Sequence, residues 1–197
     1  MPEAIAAVIL AAGESRRFGS NKLLHPVKAG AITMPLAAKS LMPWFQVFSR
    51  VTVVVKPGAD AFCEAVEASL RKKPDWVVCP DSKEGMAFSL ACGVRKNFDA
   101  KGWVIGLADM PVLPECAIFR VKEALLSGAP LAAPCMNGRR GHPAGFSFRY
   151  LEALLSLEGD GGAREILLAE ESLVERIEME DHGIFADIDF PEDLGIL

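Results

Sequence analysis

A glycine-containing loop rich in cations follows the first apolar segment of the chain. Residues 10–22 read LAAGESRRFGSNK, in which Gly13 precedes Arg16, Arg17 and Lys22. Backbone N–H groups exposed by a glycine turn, with guanidinium and ammonium groups beside them, typically bind phosphate oxygens. The loop lacks the Gly-x-Gly-x-x-Gly spacing of dinucleotide sites and the Gly-Lys-Ser/Thr ending of Walker loops. Its charge favours a triphosphate, and an ordinary solvated βα loop is the alternative interpretation.

Two groups of carboxylates lie further along the chain. Asp109 follows the apolar segment 103–107, and ligands bind beyond the carboxyl ends of strands in open α/β sheets. Asp187 and Asp189 face the same side of any extended segment, because side chains repeat every two residues. Mg²⁺ typically takes one or two carboxylates plus substrate phosphates. Asp109 and one of this pair therefore predict a magnesium site, although Asp189 could instead cap a last helix that begins at Pro191.

Composition excludes several classes of function. The chain has 197 residues, of which 51% are apolar, and its 21 Lys and Arg against 26 Asp and Glu give a formal charge of -5. This charge argues against binding to nucleic acid or anionic membranes. The apolar segment 4–12 is too short to span a bilayer and follows no basic leader. The five cysteines show no Cys-x-x-Cys or Cys/His spacing, so we expect reduced, buried, apolar cysteines and a cytoplasmic protein.

Apolar segments of strand length alternate with helical patterns along the whole chain. We predict strands at 5–11, 51–55, 76–79 and 103–107, with weaker candidates at 131–134, 144–148 and 173–179. We predict helices at 60–70 (with Asp60 as N-cap), 114–126, 150–157 and 163–169, and loops at 27–32 and 136–142. Continuous apolar strands imply burial on both faces. The pattern predicts a three-layer α/β domain with a mainly parallel sheet, without a linker.

Five motifs in this order resemble those of the molybdenum cofactor nucleotidyltransferases, most closely the cytidylyltransferase branch. They are LAAGESRRFG at 10–19 with Lys22, GLADMP at 106–111, GHP at 141–143, GDGGAR at 159–164 and DIDFPED at 187–193. The resemblance covers nearly the whole chain. It implies one Rossmann-like nucleotidyltransferase domain over residues 1–197, with a nucleotide-binding part at roughly 1–112 and an acceptor-binding part at roughly 113–197.

The resemblance implies Mg²⁺-dependent transfer of CMP from CTP to the terminal phosphate of molybdopterin, with release of pyrophosphate. A phosphate monoester is already anionic at neutral pH, so this reaction needs positioning and charge neutralisation more than a general base. The implied catalytic residues are Arg16, Lys22, Asp109 and Asp189, and the two aspartates would also hold the metal.

The resemblance also implies which residues contact the two substrates. The implied nucleotide-binding residues are Leu10, Ala11, Ala12, Gly13, Ser15, Arg16, Lys22, Gly85, Ser89 and Ala108. The implied acceptor-binding residues are Gly141, His142, Asp160, Gly162 and Arg164. Ala-Ala-Gly at 11–13 favours CTP over GTP, since guanylyltransferase relatives tend towards Ala-Gly-Gly. Phe190 departs from the family, which often has Thr at this position.

Two other functions stay open. The first is transfer of GMP to molybdopterin, or nucleotidyl transfer to a sugar phosphate. The second belongs to another class, a protein that binds the mature cofactor and delivers it to a molybdenum hydroxylase or its maturation factor. A delivery protein needs no triphosphate site, so the cationic loop, Lys22 and Asp109 favour an enzyme with small-molecule substrates.

Overall fold

The computed structural model describes residues 4–15, 17–159 and 161–197. Arg16 and Asp160, two of the predicted site residues, lie outside the described residues. The strands are β1 Ala6–Leu10, β2 Pro26–Ala29, β3 Ile32–Pro35, β4 Val51–Val55, β5 Asp75–Val78, β6 Gly102–Leu107, β7 Leu131–Met136, β8 Arg139–Arg140, β9 Ala144–Ser147 and β10 Val174–Glu178. The α-helices are α1 Leu36–Leu41, α2 Trp44–Val47, α3 Asp60–Glu67, α4 Met86–Lys96, α5 Glu115–Leu126, α6 Leu151–Leu155 and α7 Arg164–Ala169. Short 3-10 turns at Lys22–Leu24, Ser82–Glu84, Phe148–Tyr150, Glu171–Leu173, His182–Phe185 and Pro191–Ile196 complete the described elements.

A central eight-stranded sheet has the order β10-β7-β9-β6-β1-β4-β5, and β8 extends it beside β7. The pairs β1–β4, β1–β6, β4–β5 and β7–β10 are parallel. Strand β9 runs antiparallel between β6 and β7, and the short β8 is antiparallel to β7. The predicted α/β fold with a mainly parallel sheet is therefore confirmed.

The sheet is the middle of three layers, and helices on both sides bury the two faces of its central strands. All five residues of β4 are buried, and β1 and β6 are nearly as enclosed. One apolar cluster packs the sheet against α1, α2, α3 and α5, and the other packs it against α4, α6 and α7.

Gly106 lets the large Trp44 side chain pack directly against strand β6. A Cβ atom added to Gly106 would overlap the ring of Trp44, which is fully buried. This glycine of the GLADMP motif thus serves the close approach of helix α2 to strand β6.

Three local features differ from the sequence prediction. Residues 27–32, expected to be a loop, belong to a hairpin of β2 and β3 with a two-residue turn whose Gly30 has φ +63°. Residues 136–142 contain strand β8 as well as a turn. Asp60 begins α3, and Ala59 is the N-cap. Short strands without a regular apolar alternation give little signal in a sequence, which is why the hairpin was missed.

The cysteines are free thiols in several environments. Cys79 and Cys135 are buried as expected, whereas Cys63 and Cys92 are half-buried and Cys116 is exposed. The Sγ atoms of Cys92 and Cys79 lie 2.9 Å apart, and burial, with the neighbouring Cys79 thiol, raises the pKa of Cys92 to about 12. Across the described ranges no helix is long and apolar enough to cross a membrane.

Candidate functional site

Two neighbouring cavities open at the carboxyl ends of β1 and β6. The first has a volume of about 500 Å³ and the second about 650 Å³. Four residues line both cavities: Leu10, Met86, Leu107 and Asp187. Strand β1 lies between β4 and β6 in the sheet. After β1 the chain builds β4 and β5 on one side and then crosses to β6 on the other side, so the connections diverge at the end of β1. A crevice at such a point is where open α/β sheets bind ligands.

The first cavity brings together most of the residues predicted to bind the nucleotide and metal. These are Leu10, Ala11, Ala12, Gly13, Ser15, Lys22, Gly85, Ser89, Asp109 and Asp189. Ala108 does not line it; this residue is buried, and its N–H donates to the Leu10 carbonyl at 3.0 Å. That bond holds the ends of β1 and β6 together and thereby fixes the backbone position from which the Asp109 side chain extends.

The centre of the first cavity is an ion-paired cluster. The Lys22 ammonium nitrogen lies 2.8 Å from Asp109 Oδ2 and 3.0 Å from Asp189 Oδ1. The two aspartates are 80 residues apart in the sequence, and the N–H of Ile188 donates to the Asp109 carbonyl at 3.0 Å. The C-terminal segment is thus held against the end of β6, which brings Asp189 to Lys22.

The pKa shifts in the cluster follow from burial and charge. Burial raises the pKa of Asp109, and the Lys22 ammonium opposes that rise. Burial by itself would lower the pKa of Lys22, but Asp109 and Asp189 outweigh it and raise the pKa. Hydrogen bonding from Lys22 lowers the pKa of Asp189, with a further contribution from Arg17. The directions of these shifts keep Lys22 and Asp189 charged at neutral pH, and the Lys22 ammonium favours the ionised form of Asp109.

Arg17 and Asp193 contact the acidic segment on either side of Asp189, and Phe190 lies beside Arg17. The Arg17 guanidinium donates to Asp189 Oδ2 at 2.8 Å and lies 6.0 Å from the centre of the Phe190 ring. The Asp193 carboxylate accepts from the N–H groups of Asp189 and Phe190 at 2.8 and 2.7 Å. Asp193 thus orients the backbone of the acidic segment, and Phe190 lies beside an arginine that pairs with Asp189.

Backbone conformation shapes both walls of the first cavity. Ser15 has φ +53°, and its Oγ accepts from the N–H of Lys22 at 3.3 Å, which fixes the root of the lysine side chain. An added Cβ at Gly13 would meet no atom within 4 Å, so this side of the loop is open. On the facing wall, Gly85 has φ +133°, a conformation that essentially only glycine adopts, immediately before α4 begins.

The second cavity contains Gly141, His142 and Arg164 of the predicted acceptor residues. Gly162 does not line it; it is buried, and an added Cβ would lie 3.3 Å from the Met86 sulfur. The neighbouring Gly161 lines the cavity instead. The predicted set is therefore brought together in part, with Gly162 supporting Met86 in the wall that both cavities share.

Fixed arginines line the second cavity together with aliphatic side chains. The Arg139 guanidinium lies 4.4 Å from the centre of the Phe185 ring, and the Arg140 guanidinium donates to the Leu167 carbonyl. Leu90 and Ile105 supply apolar surface. Such a cavity suits a ligand with an apolar or planar body and an anionic group.

His142 is held at the back of the second cavity. Its backbone N–H donates to the Ile184 carbonyl at 2.8 Å. Burial lowers the pKa of its imidazole, against the opposing charges of Asp109 and Asp187, so the ring is neutral at pH 7. Its Nδ1 atom is buried and has no hydrogen-bond partner within the described part of the chain.

The first cavity has the donors for a hard divalent cation. No cluster of three or more His, Cys, Asp or Glu side chains with metal-site geometry occurs among the described residues. Two carboxylates plus substrate oxygens are nonetheless the usual Mg²⁺ set in nucleotide enzymes. Asp109 Oδ1 is buried and has no hydrogen-bond partner among these residues, so one carboxylate oxygen is left for a cation. Asp109 and Asp189 therefore fit a magnesium ion.

The predicted site omits several residues that line the cavities; among them are Lys83, Arg139 and Met86, and Arg17, which was named only as a cation of the first loop. Arg17 and Lys83 line the first, Arg139 lines the second, and Met86 lines both. Arg17 and Arg139 stand next to predicted site residues in cationic runs, so a signal existed for them. Met86 gave none, because an exposed methionine at a helix start has no chemical signature.

The fold and the paired cavities define a Rossmann-like nucleotidyltransferase, and comparison with known proteins gives the family. Residues 7–175 match the family model described as a MobA-like NTP transferase domain, so the chain belongs to that family.

Two curated relatives and one solved structure match over nearly their full length. The purine catabolism protein PucB of Bacillus subtilis is 32% identical over 201 residues, 98% of this chain and 95% of the relative. Nicotine blue oxidoreductase of Paenarthrobacter nicotinovorans is 29% identical over 200 residues, 96% of this chain and 94% of the relative. The crystal structure of Rv0371c from Mycobacterium tuberculosis H37Rv is 25% identical with a TM-score of 0.82, covering 100% of this chain and 97% of that one.

Proposed function

We propose that the chain transfers CMP from CTP to the terminal phosphate of molybdopterin and releases pyrophosphate, with Mg²⁺ as the metal. The observation that carries the proposal is the Asp109–Lys22–Asp189 cluster beside the wall shared by the two cavities. Leu107 and Asp187, each two residues from a cluster aspartate, line both cavities. Charged groups for a phosphoryl centre thus stand where two bound substrates would meet.

The reaction makes and breaks one bond at the α-phosphorus of CTP. An oxygen of the acceptor phosphate attacks this phosphorus, and the bond to the bridging oxygen of pyrophosphate breaks, so that pyrophosphate leaves with that electron pair. The attacking phosphate is already anionic, so no base must take a proton from it. What the reaction requires is alignment and compensation of negative charge.

The residues of the first cavity would supply both requirements on the nucleotide side. The backbone of residues 10–13, Ser15 and Lys22 would hold the triphosphate. We also propose Arg16 and the buried Ala108 as residues of the nucleotide site. Gly85 leaves room for the base or ribose, and Ser89 offers a hydroxyl. A magnesium ion bound by Asp109 and Asp189 would neutralise phosphate charge and align the leaving group.

The residues of the second cavity would hold the acceptor. Arg164 would pair with an anionic group, and His142, Gly141 and the loop with Asp160 and Gly162 would shape the pocket around the pterin. We accordingly propose one domain over residues 1–197, divided near residue 112 into nucleotide and acceptor parts. The partners would be small molecules, with cofactor delivery to a molybdenum hydroxylase as an added role, in the cytoplasm.

Membership of the family leaves base and acceptor open. One relative is named for purine catabolism and the other as an oxidoreductase, and neither name includes CTP or molybdopterin. The Ala-Ala-Gly sequence at 11–13 supports CTP over GTP. The carboxylate–lysine cluster supports phosphoryl chemistry over simple binding of a mature cofactor, because a delivery protein has no use for it.

The decisive experiment measures pyrophosphate release with molybdenum-loaded molybdopterin, comparing CTP with GTP, with Mg²⁺ or with EDTA. We expect release with CTP and Mg²⁺ only, and a cytosine dinucleotide product by mass spectrometry. Asp109→Asn should lower kcat by about 100-fold or more, as loss of one preorganised charge contact does. Asp75→Asn is the matched control, since this carboxylate pairs with Arg50 outside both cavities.

Each other outcome points to a named alternative. Release with GTP would assign the chain to guanylyl transfer. Release only with sugar phosphates as acceptors would replace molybdopterin. Tight binding of the finished dinucleotide without any pyrophosphate release would favour the delivery protein and contradict the proposed reaction.

A further inference from the structure

The ammonium group of Lys22 stands between the two carboxylates that are proposed to hold the metal. Its nitrogen is 2.8 Å from Asp109 Oδ2 and 3.0 Å from Asp189 Oδ1. Lys22 is only 8% exposed, so its ammonium group is largely shielded from solvent, whereas the Asp189 side chain is 37% exposed. The Lys22 ammonium group thus bridges the two aspartates.

The backbone of Lys22 is fixed, whereas its side chain can move. Its N–H is bonded to Ser15 Oγ, and Asn21 caps the short turn Lys22–Leu24 through a bond from the N–H of Leu23. The four-carbon side chain has several rotamers and ends in a compact point charge. Because the first cavity also contains the backbone of residues 11–13, the ammonium group could move from the carboxylates to phosphate oxygens without a change in the fold.

An ammonium group and a divalent cation compete for these two carboxylates, because the two positive charges repel each other. Mg²⁺ binds carboxylate oxygens at about 2.0–2.1 Å, closer than the N···O distances here, and would face the lysine charge at contact range. Displacing the lysine without another anion to receive it would leave a mostly buried ammonium unpaired, which is costly. Triphosphate oxygens are such an anion.

We propose that Lys22 is an electrostatic latch that keeps a divalent cation away from Asp109 and Asp189 until nucleotide phosphates draw the lysine away. The inference rests on the proposed function for the identity of the metal ligands, and it adds an order of events. Nucleotide opens the metal site, so metal and nucleotide bind with positive coupling through one side chain. Coupling of this kind is reciprocal: metal strengthens nucleotide binding by the same factor.

The test measures Mn²⁺ affinity without nucleotide, by calorimetry and by the electron paramagnetic resonance signal of free Mn²⁺. Wild-type protein is compared with Lys22→Met and Lys22→Gln. The Gln amide can still donate one hydrogen bond to the buried Asp109, which guards against a variant that fails to fold. Both variants should bind Mn²⁺ about 10-fold more tightly than wild type, within the usual range of coupling between sites.

The control is Lys83→Met, which removes the same charge from the same cavity. If Lys83→Met strengthens Mn²⁺ binding as much as Lys22→Met, the effect is general electrostatics and the latch is wrong. Unchanged affinity in both Lys22 variants also overturns it, provided that wild type binds Mn²⁺ in the presence of CTP. If wild type binds no Mn²⁺ even with CTP, the metal site of the proposed function fails, and the latch fails with it.

Discussion

The two cavities handle charge in opposite ways. In the first, Lys22 and Arg17 are paired with Asp109 and Asp189, so positive and negative groups neutralise each other. In the second, Arg139 is held over the Phe185 ring, a contact that compensates little of its charge. If the proposed substrates bind in these cavities, the ion pairs of the first cavity would be exchanged for contacts to phosphates and a metal, whereas the second cavity would offer a positive charge that is already in place.

Strand direction underlies this difference. The first cavity lies at the ends of parallel strands β1 and β6, where successive loops converge on one edge. The second is lined by residues of β9, which runs antiparallel between β6 and β7, and of β8, which is antiparallel to β7. An antiparallel insertion ends the row of convergent loops and leaves an apolar floor, lined by Ile105 and Ala144.

The largest expected effect concerns the packing beneath the cluster rather than the cluster itself. Gly106→Ala places a Cβ atom against the buried Trp44 ring, so we expect a loss of about 1–3 kcal/mol in the free energy of unfolding, measured with urea. Gly13→Ala, where the added Cβ meets no atom within 4 Å, is the matched control and should stay within about 0.5 kcal/mol of wild type. Equal stability of both variants would show that the packing of Trp44 against β6 relaxes enough to accommodate the added methyl group.

A crossed pair of arginine variants tests whether the cavities serve different substrates. Arg139→Gln should raise the KM for the acceptor about 10-fold, as for one lost charge-assisted contact, and leave the KM for nucleotide unchanged. Arg17→Gln should raise only the KM for nucleotide, because Arg17 lines only the first cavity; its side chain is 69% exposed, so solvent screening keeps the effect small. If each variant moved both constants equally, the division into two sites would be wrong.

The smallest expected effect is a pH dependence from His142. Burial lowers its folded-state pKa below the ordinary 6.5, so the unfolded chain binds the proton first as the pH falls. Stability is therefore full above pH 6.5 and declines below it, by at most about 1.4 kcal/mol per pH unit for one proton. Urea unfolding at several pH values should show a shallower decline in His142→Gln. An identical decline in that variant would assign the effect to other groups.

The fold class could be predicted from the sequence because its signals are local. Val51–Val55 is a continuous β-branched run, and such runs form strands buried on both faces wherever helices cover the sheet. The hairpin of β2 and β3 was missed, because four-residue strands with a mixed polar pattern depend on their partner for stability. The antiparallel direction of β9 could not be predicted either, because the apolar sequence of residues 144–147 contains no information on strand direction.

By itself the sequence determined the chemical parts: the glycine loop with its cations, the carboxylate after the strand Gly102–Leu107 and the acidic segment near the C-terminus. Their residue types and their places at strand ends favour phosphates and a hard metal as ligands. Only the tertiary structure decided that Lys22 bridges Asp109 and Asp189, that Phe190 lies beside Arg17, and that Met86 lines both cavities. These contacts join residues that are distant in sequence. They depend on the distances between strand ends, which are set only when the sheet and its helices have packed.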